Sequence, residues 1–187
     1  MYWLIWIFIA PFVTLFYPTK IIGKKYFKKT KKQPAIYCSN HQTNIDAFIF
    51  KVRVGPKLKI MAKNSLFKSK FGSWFFTTCH AYPVDRGGND IKAVKTTLSY
   101  LKNKKQILIF PEGTRVKNAD AMDMKTGVVS FALKTDAYIV PTYFRKITNP
   151  FVFNTLIVGK PFKFSEMEDF KNKKIYKELI LKANEIL

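Results

Sequence analysis

From residue 35 onward, short apolar runs alternate with longer stretches in which apolar residues recur at helical spacing. That alternation restricts the chain to an α/β unit, because strands separated by helices pair in parallel. AIYCS (35 to 39), KLKIMA (57 to 62), AYPV in AYPVD, QILIF (106 to 110), YIVPTYF (138 to 144) and TLIVG (155 to 159) read as strands. Between them, Ile45, Phe48, Ile49 and Val52 share one helical face. SLFKSKFGSWFF reads as a helix broken near Gly72. Asn89 is placed to cap a helix whose Ile91, Val94, Leu98 and Leu101 lie on one side, and another helix is expected at about 127 to 135. Residues 165–187, acidic early and rich in Lys later, suit a helix that complements its own dipole. The expected fold is a mostly parallel central sheet flanked by helices, spanning residues 33–187 as one domain. Active residues then belong at strand ends.

Residues 1–32 read differently. Positions 2 to 18 carry no charge, and KIIGKKYFKKTKK follows with seven Lys in thirteen residues. This pattern predicts an N-terminal hydrophobic, helical membrane-association segment whose lysines face anionic headgroups on the cytoplasmic side. A span needs about 20 apolar residues, and Pro11 interrupts this run. A dip into the interface and a true span both stay open. A cleaved signal peptide would place its positive charges before the apolar run, the reverse of the order here.

Charge and composition narrow the partners. The 33 Lys+Arg against 12 Asp+Glu give +21, which calls for a polyanion: nucleic acid, anionic lipid or a phosphorylated substrate. Part of the excess is what an AT-rich genome imposes through Lys, Asn, Ile and Phe. The 18 Phe, 9 Tyr and 3 Trp favour a lipid interface. No helix-turn-helix, zinc or RNA-recognition signature is present, so no nucleic-acid partner is expected, and a non-enzymatic basic binding module is the alternative of a different class. Cys38 and Cys79 are far apart and have neither disulfide nor metal spacing. No metal is expected, and the expected location is a cell membrane, peripheral or monotopic, with the site facing the cytoplasm.

His41 is one of two histidines and lies just past the first strand, in SNHQTNID. Asp46 follows five positions on, about 500° around a continuous helix, so the two side chains meet only across a turn. Ser39, Asn40, Gln42, Thr43 and Asn44 supply turn-forming residues. A strand-end His oriented by an Asp in the first helical turn is a general base suited to a hydroxyl. FPEGTR (110 to 115) follows QILIF directly. Arg115 is suited to bidentate phosphate binding, and Gly113 to close substrate approach. VDRGG (84 to 88) repeats the arrangement with Arg86, and Lys63 and Lys68 could add charge to the same cleft. A thiol mechanism is disfavoured, because adjacent Cys79 and His80 in a strand would face opposite ways and Cys38 sits inside an apolar run.

Read together, NHQTNID, VDRGG, FPEGTR and YIVPT, in this order from about residue 35 to 160, resemble the 1-acylglycerol-3-phosphate O-acyltransferase family of glycerolipid acyltransferases. The resemblance implies direct acyl transfer from an acyl-CoA or acyl carrier protein thioester, with no cofactor, to the free hydroxyl of 1-acylglycerol-3-phosphate. Another lysophospholipid or a glycolipid is the alternative acceptor. His41 would deprotonate that hydroxyl and Asp46 would hold His41. Arg86, Glu112, Gly113, Thr114 and Arg115, with Lys63, would bind the acceptor phosphate. Asn40, Val140 and Pro141 would shape the pocket, and Lys125 and Gly127 would flank the cleft. Thr43 stands where the family often has Ser, and LFKSKFG lacks the family's usual Pro.

Overall fold

A computed structural model describes residues 2–85, 90–110, 127–145 and 148–167. In chain order the elements are α1 (Tyr2–Phe16), β1 (Thr19–Ile22), α2 (Lys25–Thr30), β2 (Ala35–Ser39), α3 (Asp46–Val54), β3 (Lys59–Lys63), α4 (Lys70–Thr78), β4 (Ala81–Val84), α5 (Ile91–Lys102), β5 (Gln106–Ile109), α6 (Gly127–Thr135), β6 (Tyr138–Phe144) and β7 (Asn154–Val158). The strands form one seven-stranded sheet in the order β1-β7-β6-β2-β5-β3-β4. From β6 across to β4 every pairing is parallel. β7 runs antiparallel to β6, and β1 lies parallel to β7 at the edge. The expected mostly parallel sheet flanked by helices is thus the architecture found.

The central strand β2 is buried along its whole length, as parallel strands covered on both faces are. Its side chains alternate between two cores. Ala35 and Tyr37 meet Val13 of α1, Phe27 of α2 and Ile49 and Phe50 of α3. Ile36 and Cys38 meet Leu101 of α5 and Val128, Phe131 and Ala132 of α6. Helices α1 to α4 therefore cover one face and α5 and α6 the other.

Three local expectations differ from what the chain does. The stretch 65–76 is broken, but at Lys68 and Ser69, between a 3-10 turn (Asn64–Phe67) and α4, which runs through Gly72 because Ser69 caps it: the Gly72 N–H donates to Ser69 Oγ at 2.9 Å. Glycine is needed there for closeness, since a Cβ would collide with the Leu66 carbonyl of the preceding 3-10 turn. The cap of α5 is Asp90 rather than Asn89, with Oδ1 accepting from the Ala93 N–H at 2.9 Å and Oδ2 from the Asp85 N–H at 2.9 Å. The lysine-rich stretch also contributes to the sheet. Its TKII forms β1, alternately exposed and half-buried, and Gly23 closes the strand at φ +83°, where a Cβ would strike the Val158 carbonyl.

No helix among the described residues is long and apolar enough to cross a membrane. α1 is fifteen residues long and continues through Pro11. The tail expected to be helical lies, from residue 168 on, outside the described residues.

Candidate active site

The site begins where β2 leaves the sheet. Asn40 extends the β2–β6 ladder with its side chain, accepting from the Phe144 N–H at 2.7 Å and donating Nδ2 to the Phe144 carbonyl at 3.1 Å. This fixes the exit of the chain and puts His41 at the carboxyl end of a central strand. Residues 40 to 45 then turn, and Asp46 opens α3.

Asp46 is fully buried and is the hub of that turn. Its Oδ2 accepts from the Gln42 N–H at 2.7 Å and the Thr43 N–H at 2.8 Å, and faces His41 Nδ1 at 3.3 Å. Its Oδ1 accepts from the Thr43 hydroxyl at 2.6 Å and the Thr148 hydroxyl at 2.9 Å. Burial alone would raise this carboxyl, but the hydrogen bonds from His41, Thr43 and Gln42 outweigh it and hold Asp46 below its ordinary value. The charged form is also favoured by its place in the first turn of a helix.

With Nδ1 turned toward a carboxylate, the His41 ring is fixed in orientation, and its other face is set by Phe110. The two rings stack with centroids 4.1 Å apart and planes 22° apart. Phe110 is the first residue of FPEGTR, so the third motif starts in contact with the first.

A cavity of about 560 Å³ opens beside this pair, lined by His41, Phe110, Ala47 and Phe48 of α3, Ile60 to Lys63 of β3, Phe76 of α4 and Ala81 of β4. Lys63 and Leu66 are exposed, while Cys79 and Lys51 are buried members of the same wall. The lining is mostly apolar, shaped for a hydrocarbon chain. Part of its buried wall is polar. Lys51 Nζ donates to the Pro56 carbonyl at 2.9 Å and the Leu58 carbonyl at 2.7 Å. Burial pushes that amine down to about 7, and raises the Cys79 thiol.

Of the expected site residues, the structure brings together His41, Asp46 and Lys63. Val140 is buried in the core beneath α3, and the exposed Pro141 receives the Gly159 N–H on its carbonyl at 2.8 Å. Neither lines the cavity, nor does Asn40. Lys68 follows the 3-10 turn on the surface, and Gly127 opens α6. Arg86, Glu112, Gly113, Thr114, Arg115 and Lys125 lie outside the described residues. Cys79 and His80 lie in the turn after α4, where His80 has φ +60° and its Nδ1 is 3.1 Å from the Pro56 carbonyl. Among the described residues, no three His, Cys, Asp or Glu side chains gather where they could hold a metal ion.

Thr148, Phe110 and Lys51 escaped the reading of the sequence. Only Phe110 carried a local signal, its place at the head of FPEGTR. Thr148 follows β6 by four positions with no motif around it, and Lys51 is one lysine among many.

Residues 19–145 match the family described as Acyltransferase. The chain is 31% identical over 111 residues to the 1-acyl-sn-glycerol-3-phosphate acyltransferase of Bacillus subtilis, covering 59% of this chain and 55% of that protein. It is 27% identical over 170 residues to the enzyme of the same name from Streptococcus pneumoniae, covering 83% of this chain and 62% of that protein. A chloroplastic relative from Arabidopsis thaliana matches at 29% identity over 58% of this chain and 31% of its own length. The chain thus spans from about a third to under two thirds of the curated relatives it matches. Among solved structures, the 1-acyl-sn-glycerophosphate (LPA) acyltransferase PlsC from Thermotoga maritima superposes with a TM-score of 0.67 at 20% identity, covering 95% of this chain and 78% of that one. That likeness is one of fold.

Proposed function

Because this chain belongs to the acyltransferase family, we propose that it transfers a fatty acyl group from an acyl thioester to the free hydroxyl of 1-acylglycerol-3-phosphate, giving phosphatidic acid. The observation that carries this reading is the His41–Asp46 pair, 3.3 Å apart at the carboxyl end of β2, opening directly onto a largely apolar cavity. A base for a hydroxyl and a housing for a hydrocarbon chain are the two things such a transfer needs in one place.

In the proposed reaction, Asp46 holds Nδ1 and His41 Nε2 takes the proton of the acceptor hydroxyl. The oxygen attacks the thioester carbonyl, the C–S bond breaks, and the departing thiolate takes the proton back from the imidazolium. Asp46, kept ionised by its hydrogen bonds, stabilises the imidazolium between those two events. The acyl chain lies along Phe48, Ala62 and Phe76, in the cavity that Lys51 and Cys79 also line. The acceptor's phosphate is held by Arg86, Glu112, Gly113, Thr114 and Arg115, as the family motifs suggest, with Lys63 adding positive charge beside His41.

The donor is acyl-CoA or acyl carrier protein. The chain works at an anionic membrane surface on the cytoplasmic side, with α1 lying in the interface rather than across it. Its fifteen residues and its one buried side, which carries Trp6 and Val13, support that placement. The acceptor is tested by supplying both donors with lysophosphatidic acid, lysophosphatidylglycerol or lysophosphatidylcholine in parallel. Preference for lysophosphatidic acid is expected, and equal or better transfer to the other acceptors would refute it.

A further inference from the structure

Helix α1 is apolar on every side. Trp6 and Val13 are buried and Ile9 and Tyr17 pack against the core, yet Ile7, Phe8, Phe12 and Leu15 face solvent, Phe8 at 76% exposure. A helix on a protein surface normally turns a polar face outward. At its C-terminal end the exposed apolar surface continues on a distant piece of chain. Phe151, Val152 and Phe153 are consecutive and exposed, Phe153 at 85%. Phe16 joins the two pieces, its ring centroid 4.6 Å from Phe12 and 5.1 Å from Phe151. The Phe151 N–H donates to the Phe16 carbonyl at 2.7 Å.

The turn that carries these side chains is built. Asn154, nearly buried, donates Nδ2 to the Asn149 carbonyl at 3.1 Å and the Val152 carbonyl at 3.0 Å, and its Oδ1 accepts from the Asn149 N–H at 3.1 Å. Its own N–H donates to the Pro18 carbonyl at 2.8 Å, tying the turn to the end of α1. Phe151 is held at φ +60°, a backbone state that bulky side chains rarely adopt. Phe151 keeps only an edge contact with Phe16, Val152 and Phe153 are exposed beside it, and such apolar runs mark a binding surface. Exposed Lys20, Lys24, Lys25, Lys28 and Lys29 follow directly after α1, and Lys20 is paired with Thr155, two positions past Phe153. Aromatic side chains flanked by lysines complement an anionic bilayer interface.

We propose that the 149–154 turn is a second lipid-inserting element, docked on α1 through Phe16, which places Phe151 and Phe153 in the interface of an anionic phospholipid bilayer together with Phe8, Phe12 and Leu15. The inference rests on the membrane placement of α1 given above and adds to it a contact from a part of the chain distant in sequence. Two rigidly joined contacts fix the orientation of the domain on the membrane, where one helix would leave it free to swing. The same β6–β7 connection carries Thr148, whose hydroxyl holds Asp46, so the lipid contact and the catalytic pair share one short stretch of chain.

The test is co-sedimentation of the full chain with vesicles of equal parts phosphatidylcholine and phosphatidylglycerol, comparing wild type with Phe153→Ser, a site too exposed to disturb folding. Partitioning should fall about tenfold or more, with the melting temperature unchanged. Phe153→Cys carrying an environment-sensitive dye should shift to the blue on these vesicles, and less on phosphatidylcholine alone. If wild type binds and Phe153→Ser binds equally well, with the dye still reporting water, the turn is not inserted and only this proposal fails. If the wild-type chain does not bind vesicles, the placement of α1 fails with it. A dimer in solution that Phe153→Ser dissociates would overturn the proposal in favour of a second copy of this chain.

Discussion

The Thr148 hydroxyl donates to Asp46 Oδ1 at 2.9 Å across a separation of 102 residues. Asp46 thus has two sets of partners: His41, Gln42 and Thr43 in its own turn, and Thr148 in the connection after β6. The local set folds the turn, and the distant one locks it against the sheet. Thr148→Val removes that lock while keeping the shape. Hydrogen bonds to charged groups contribute about 1.5–3 kcal/mol, and a loss of that order is expected in denaturant unfolding. As a positioning residue, Thr148 should affect kcat, by about tenfold, with little change in acceptor KM, and Thr148→Ser should restore it. An unchanged kcat in Thr148→Val would show that Thr43 alone suffices.

Acid stability should report on Asp46. Its folded pKa lies below the ordinary carboxylate value of about 3.9, so the unfolded chain binds the proton first as pH falls. The stabilisation is then complete above the unfolded value and is lost as pH drops through the folded one. Denaturation midpoints measured from neutral pH down to about pH 3 should fall more steeply for wild type than for Asp46→Asn. Parallel curves would contradict the hydrogen-bonded carboxylate.

Lys51 should act in the opposite range. Burial lowers its amine to about 7, while the unfolded value is near 10.4. Between these the unfolded chain holds more protons, so stability rises with pH through this window. Lys51→Met abolishes that rise. Its absolute stability also reflects the Pro56 and Leu58 carbonyls left unpaired, so the slope against pH is the quantity to compare. Equal slopes would mean that burial does not lower the amine and that Lys51 stays an ammonium through this window.

The cavity should set the acyl chain. Ala81 lies in its wall, as do Cys79 and Lys51, and Ala81→Leu projects into the cavity, so overpacking, usually about 1–3 kcal/mol, is largely avoided. Transfer from long-chain acyl-CoA should fall several-fold relative to short-chain donors, each excluded methylene contributing about 0.8 kcal/mol. An unaltered chain-length profile would place the acyl chain elsewhere.

Much of this was legible because it is local. β2 and β6 have the predicted boundaries, and the turn between His41 and Asp46 follows from the 140° mismatch of a continuous helix together with a run of turn-forming residues. What was not legible depends on neighbours distant in sequence. β1 was hidden because a lysine-bearing edge strand alternates in exposure and lacks a buried apolar run. Gly72 looked like a breaker, since only the fold reveals the Leu66 carbonyl pressed against it. Asn89 and Asp90 are equally good caps by composition, and geometry chose Asp90 because it also ties down Asp85. Thr148 and Lys51 acquire roles only once β6 and α3 are packed against the sheet.

As the proposed base for acyl transfer to lysophosphatidic acid, His41 is tested by transfer of a labelled acyl group from acyl-CoA and, separately, from acyl carrier protein, comparing wild type with His41→Ala. A loss of about 10²- to 10⁴-fold with fold and vesicle binding intact is predicted. Full activity in His41→Ala, with either donor, would contradict the mechanism.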